Sequence, residues 1–183
     1  MTSFALIDTR RAQHSIKVTG EGGGGCPVYA LAISPSGTFL AAGDLNGVRL
    51  WHLASQKEVE VPSVWGIRGA VTSIVWLQRD LGETMIYGTS LGFLVCWRQN
   101  SNKFKELCWV RAGEQQITSV NIDPASGRIV SCIRDGTVST WILDQEERLE
   151  GIFAVQVEKT NPIAVSIQGN TTKDLLLFTM AGK

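Results

Sequence analysis

The sequence predicts an all-β protein assembled from repeated four-stranded antiparallel sheets, and three observations predict it. Tryptophans recur at positions 51, 97 and 141, intervals of about 45 residues. Each closes a similar phrase, "LNGVRLW", "SLGFLVCW" or "RDGTVSTW", with a glycine four or five residues earlier, where a tight hairpin turn needs positive φ. No stretch of useful length carries the 3.6-residue hydrophobic period of a helix.

The elements of one period follow in order. A first strand opens at Val28 ("VYALAISPSG"), Val71 ("VTSIVW"), Ile117 ("ITSVNIDPASG") and Pro162 ("PIAVSI"). These copies align position by position: Leu31, Ile74, Val120 and Val165 form one column, and Ile33, Trp76, Ile122 and Ile167 another. Ala30, Ser73, Ser119 and Ala164 form a column of small residues. Large and small residues alternating along a buried strand are what two closely packed sheets require. The second strands are "FLAAG", "MIYGT", "IVSCI" and "LLLFT". The third strands end at the tryptophans, and weaker fourth strands follow in "KEVEV", "KELCWV" and "ERLEGIF". Four short antiparallel strands in about 45 residues is the signature of one blade of a β-propeller.

Composition narrows the function classes. With 44% hydrophobic and 19% charged residues the chain is of ordinary globular type, so a folded, soluble protein is expected. Seventeen basic and seventeen acidic side chains cancel, and net charge therefore favours neither nucleic acid nor an anionic membrane as partner. No apolar run approaches the roughly 20 residues that span a bilayer, and "MTSFALIDTRRAQHS" has neither the charge order nor the length of a signal peptide. Cys26, Cys96, Cys108 and Cys132 are scattered singly, without a CxxC pair or neighbouring histidines. They read as reduced thiols of a cytoplasmic or nuclear protein, and no metal or cofactor is expected.

"VYALAISPSGTFLAAGDLNGVRLW" and "ITSVNIDPASGRIVSCIRDGTVSTW" resemble the repeat phrase of the WD-repeat (WD40) β-propellers; the middle copy is looser, "LQRDLGET" replacing its Pro/Gly turn. The resemblance implies blades at 26–62, 70–111 and 116–157, with 1–19 as the end of a preceding blade and 161–183 as the first strands of a further one. An open or incomplete arc is expected over a closed four-blade ring, because propellers of this family usually close with more blades. Open edges of this kind invite self-association.

In the family a turn aspartate, a histidine, a strand serine or threonine and the tryptophan form a buried hydrogen-bonded network. Asp135 and Trp141 occupy two of its places, but the histidine is missing, and Leu91 stands at the aspartate place of the second copy. Trp51, Trp97 and Trp141 are therefore structural repeat positions, and cohesion between blades is expected from apolar contact. The family geometry also puts the blade-joining loops and the turns between second and third strands on one face, which binds proteins or peptides. That places Trp65, Arg68, Arg111, Glu114 and Arg134 on the expected partner-binding face, each weighed against an ordinary solvated surface role.

Other motifs favour bland readings. "GEGGGGCP" lacks the lysine and Ser/Thr of a phosphate-binding loop and reads as a flexible linker. His14 and His52 have no nucleophile fixed near them, so no catalytic residue is assigned. Arg10 and Arg11 precede Ala12 where a phosphoinositide grip needs glycine. The expected function is a non-catalytic scaffold for protein association. The alternatives are a partial propeller without independent activity, and a hydrolase-type propeller enzyme, against which the inner strands offer only Asn121 as a polar exception.

Overall fold

In a computed structural model the chain is described over residues 27–63, 68–79, 82–101, 103–123, 125–157, 162–170 and 173–180. The first sheet comprises β1 (Ala30–Ile33), β2 (Phe39–Asp44), β3 (Gly47–His52) and β4 (Lys57–Val59). The second comprises β5 (Val71–Arg79), β6 (Gly82–Thr89), β7 (Phe93–Asn100) and β8 (Lys103–Arg111). The third comprises β9 (Ile117–Ile122), β10 (Ile129–Ile133), β11 (Thr137–Leu143) and β12 (Leu149–Gln156). A final hairpin pairs β13 (Pro162–Asn170) with β14 (Lys173–Met180). Strands in each sheet lie in sequence order and pair antiparallel, as a meander does, and no helix occurs among the described residues.

The repeated register matches the repeated phrases. Trp51 lies opposite Leu40, Trp97 opposite Met85 and Trp141 opposite Ile129, so each tryptophan sits at the same site of its sheet. The glycines ahead of them, Gly47, Gly92 and Gly136, all have positive φ. Gly92 is doubly constrained, because a Cβ there would lie 2.1 Å from the Gly113 carbonyl oxygen.

Consecutive sheets pack through their inner strands: β1 and β2 against β5, β5 and β6 against β9, β9 and β10 against β13. Small residues in the second strands receive large ones from the next sheet. A Cβ on Gly43 would sit 2.4 Å from a methyl of Val71, and one on Gly88 2.5 Å from a methyl of Ile117. Phe39, Trp76 and Phe104 fill the space between the first two sheets, with Phe39 and Phe104 edge to face at 5.3 Å. Backbone groups on the inner strands, which have no neighbour strand on one side, are met from the adjacent sheet. The Val120 amide donates to Ser73 Oγ at 3.0 Å, Thr72 Oγ1 donates to the Ile117 carbonyl at 2.6 Å, and Trp76 Nε1 donates to the Ala32 carbonyl at 3.3 Å.

The sheets follow one another as an arc, and no closed ring is found among the described residues. One expectation fails at the start of that arc. Ile74 and Trp76 are 8% and 9% exposed, and Val120 and Ile122 are equally buried, but their counterparts Leu31 and Ile33 are 64% and 61% exposed. The reason is positional: β5 and β9 each pack on a preceding sheet, whereas among the described residues β1 packs only on its own sheet and the one that follows. The expected strand "SIKVTG", His14 and the glycine-rich linker through Cys26 lie outside the described residues.

Candidate interaction surface

The turns between second and third strands and the segments entering each first strand meet at one end of the sheets. The Ala70 amide donates to Ser90 Oγ at 2.9 Å, the Ala112 amide to the Gly92 carbonyl at 2.8 Å, and the Arg134 amide to the Gln116 carbonyl at 2.8 Å. These bonds tie the turn of the second sheet to the segments that enter and leave that sheet, and the turn of the third sheet to the segment that enters it. The opposite end is held by carboxylate contacts between sheets: Glu83 Oε1 accepts from the Ser36 amide at 3.1 Å, and Arg98 pairs with Glu147.

Side chains at the turn tips set the character of the loop face. Leu45 and Leu91 are exposed at corresponding turns of the first two sheets, and Arg134 is exposed at the third. Asp44, beside Leu45, is buried and its carboxylate accepts from the Asn46 amide at 2.6 Å, which fixes the tip. Asp135 is exposed; its carboxylate accepts from the Thr137 amide at 2.8 Å and its carbonyl from Gln156 Nε2.

Arg68 is held within the second sheet. Its guanidinium donates two bonds to Glu106, at 2.7 and 3.0 Å, and lies over the Trp109 ring at 5.1 Å. The bond to Glu106 raises the guanidinium pKa further, against a smaller opposing effect of burial. Glu106 also accepts from Trp97 Nε1 at 3.5 Å, and Tyr87 stands edge to face with Trp97 at 5.2 Å. Burial pushes the Tyr87 phenol well above its ordinary range, only partly offset by the Arg68 charge.

From Trp109 the row continues outward. Trp109, half exposed, meets Phe93 edge to face at 5.7 Å, and Arg111 lies over Phe93 at 5.7 Å while pairing with Glu114 at 2.5 Å. Arg68, Trp109, Phe93 and Arg111 thus form one cation and aromatic row on the outer part of the second sheet, and Trp65 lies outside the described residues. Of the repeat tryptophans, Trp97 is fully buried, Trp141 Nε1 donates to Ser131 Oγ at 2.9 Å, and Arg49 lies over Trp51 at 5.1 Å. His52 Nδ1 accepts from the Ser55 amide at 3.2 Å, and Asn121 Oδ1 from the Ile122 amide at 2.7 Å.

Residue types alone did not single out Leu45, Phe93 or Trp109 as surface groups. For Leu45 a signal existed, a leucine inside the turn sequence "DLNG", where the chain gains nothing from burial.

Residues 14–52 match the family described as WD40: WD domain, G-beta repeat. Among curated proteins none matches the chain by sequence. By shape, 1093 chains of solved structures match, so the likeness marks a widely used fold and by itself no particular activity. One of them is Saccharomyces cerevisiae Sqt1, at a TM-score of 0.66 and 15% sequence identity, over 78% of this chain and 39% of Sqt1. The chain spans well under half the length of that neighbour.

Proposed function

We propose that the chain is a WD40-type interaction platform whose loop face binds a protein or peptide, a reading supported by the match of residues 14–52 to a WD40 repeat and by the arc of four-stranded sheets. The observation that carries this reading is the pair of exposed leucines, Leu45 and Leu91, held at corresponding tips of adjacent sheets by turns with little freedom to fold them inward. Preorganised apolar groups lose little entropy on binding, and Arg134 and the half-exposed Trp109 nearby supply the polar and aromatic contacts typical of interface anchors. Arg111 and Glu114 belong to the rim of this face.

The test is selection of peptides from a random displayed library on the purified chain, followed by affinity measurement on variants. Selected peptides are expected to lose at least about tenfold in affinity on L45D/L91D and to keep it on Ser55→Ala at the far end of the sheets. Equal affinity for both variants would remove the loop face from the proposal.

A second reading is favoured by a separate observation. Leu31 and Ile33 are exposed where the same column is buried in the next two sheets, which supports a role as one section of a larger propeller assembly. The two readings are compatible, because added sheets would extend the loop face and leave it uncovered.

A further inference from the structure

Cys96 and Cys108 stand 12 positions apart in the chain, yet the β7–β8 register sets them directly opposite each other. Directly opposed residues on antiparallel strands have Cα atoms about 4.5–5.5 Å apart, within the range a disulfide spans. Their side chains project from the same face of the sheet, and the two thiols are in hydrogen-bond contact. The register slips immediately afterwards, Trp97 lying opposite Glu106, so Leu107 is an extra residue and the strand is locally bent there. Cys96 is buried while Cys108 is only half-buried, which leaves one thiol of the pair open to a reagent.

We propose that Cys96 and Cys108 are a redox-active dithiol that closes to a disulfide between β7 and β8, with a low-molecular-weight disulfide such as glutathione disulfide as oxidant. The accessible Cys108 thiolate attacks one sulfur of glutathione disulfide, forming a mixed disulfide and expelling one glutathione thiolate. Cys96 then attacks Cys108 Sγ and expels the second. Two protons leave the cysteines and two glutathione thiols are formed, so atoms and electrons balance: one disulfide is reduced and one is made. Contact with Cys96, opposed by burial, holds the Cys108 thiol below its usual range, which suits it to the attacking role. Cys132, on β10 of another sheet, is pushed up to about 11 by burial and takes no part. The bond would fasten β8, the outer strand that carries Glu106 and Trp109, to the buried strand β7.

The experiment uses the full chain, reduced, freed of reductant, incubated with glutathione disulfide in native buffer and quenched by alkylation. Mass spectrometric mapping without reduction reads the product, and Arg98 and Lys105 let trypsin separate the two cysteines. The expected product is a peptide pair joined through Cys96 and Cys108, in a chain lighter by two hydrogens. In Cys96→Ser the expected product is instead a stable glutathione adduct on Cys108. If that variant does not fold, the wild-type map alone decides. Free thiols, a persistent Cys108 adduct in the wild type, or a bond to a different cysteine would each overturn the proposal.

Discussion

Trp141 Nε1 donates a 2.9 Å hydrogen bond to Ser131 Oγ in the interior of the third sheet. Tyr87 stands at the corresponding place of the second sheet and Ala42 in the first, so only one of the three repeat tryptophans uses this partner. Ser131→Ala leaves the indole N–H buried without an acceptor. A loss of about 1–3 kcal/mol of stability is expected in urea denaturation, and Ser131→Thr, which keeps a hydroxyl, should lose less.

In the second sheet the same role passes to Glu106, which receives Trp97 weakly and Arg68 strongly. Because both partners are largely shielded from water, Arg68→Ala and Glu106→Ala should each cost about 1–3 kcal/mol. A double-mutant cycle should return a coupling of at least about 0.5 kcal/mol. Strictly additive effects would mean that the pair contributes through side-chain volume alone.

Gly88 is the socket between the second and third sheets. Gly88→Ala puts a methyl 2.5 Å from Ile117 Cγ2, in a strand interior where the backbone cannot retreat. Overpacking of this kind costs about 1–3 kcal/mol. Ile117→Ala alone should cost about 2–5 kcal/mol, and in its background the further loss from Gly88→Ala should shrink or vanish; strictly additive losses would contradict direct contact between the sheets here.

Acid should destabilise the fold through carboxylates at its turns. Ser126 Oγ donates to Asp123 at 2.5 Å, with the Ala125 and Ser126 amides also donating, and these bonds hold the carboxyl below its ordinary range. The Arg148 backbone and side chain lower Asp144, and Arg49 lowers Glu58. A depressed folded value means that the unfolded chain takes up protons first on acidification. The contribution is therefore complete above the ordinary carboxylate values and is lost as pH falls below about 4. The denaturation midpoint should hold steady from neutral pH to about 5 and drop beneath that, with a shallower drop in Asp123→Asn. A midpoint that rises on acidification would reverse the sign of this linkage.

Much of this architecture was legible because its signals are local. The tryptophan interval, the turn glycines and the large and small columns each reflect one sheet's own register, and Gly47, Gly92 and Gly136 adopt the positive φ their turns demand. What was not legible depends on pairs brought together by folding. Cys96 and Cys108 look unrelated until the hairpin register aligns them, and Glu106 is an ordinary strand glutamate until Arg68 arrives from a loop 38 residues away. The same holds for Leu31 and Ile33, whose column is apolar in every copy but whose burial depends on a neighbouring sheet.

That last contrast bears most directly on the nature of the arc. The measurement is size-exclusion chromatography with light scattering on the wild-type chain and on L31D/I33D, at several concentrations. An open arc with an uncovered first sheet predicts that the wild type associates as concentration rises, and that the charged variant stays at the mass of a single chain with its cooperative melt retained. A wild type that is monomeric at every concentration, with a variant that unfolds, would mean that Leu31 and Ile33 are covered within the chain and that the arc closes on itself.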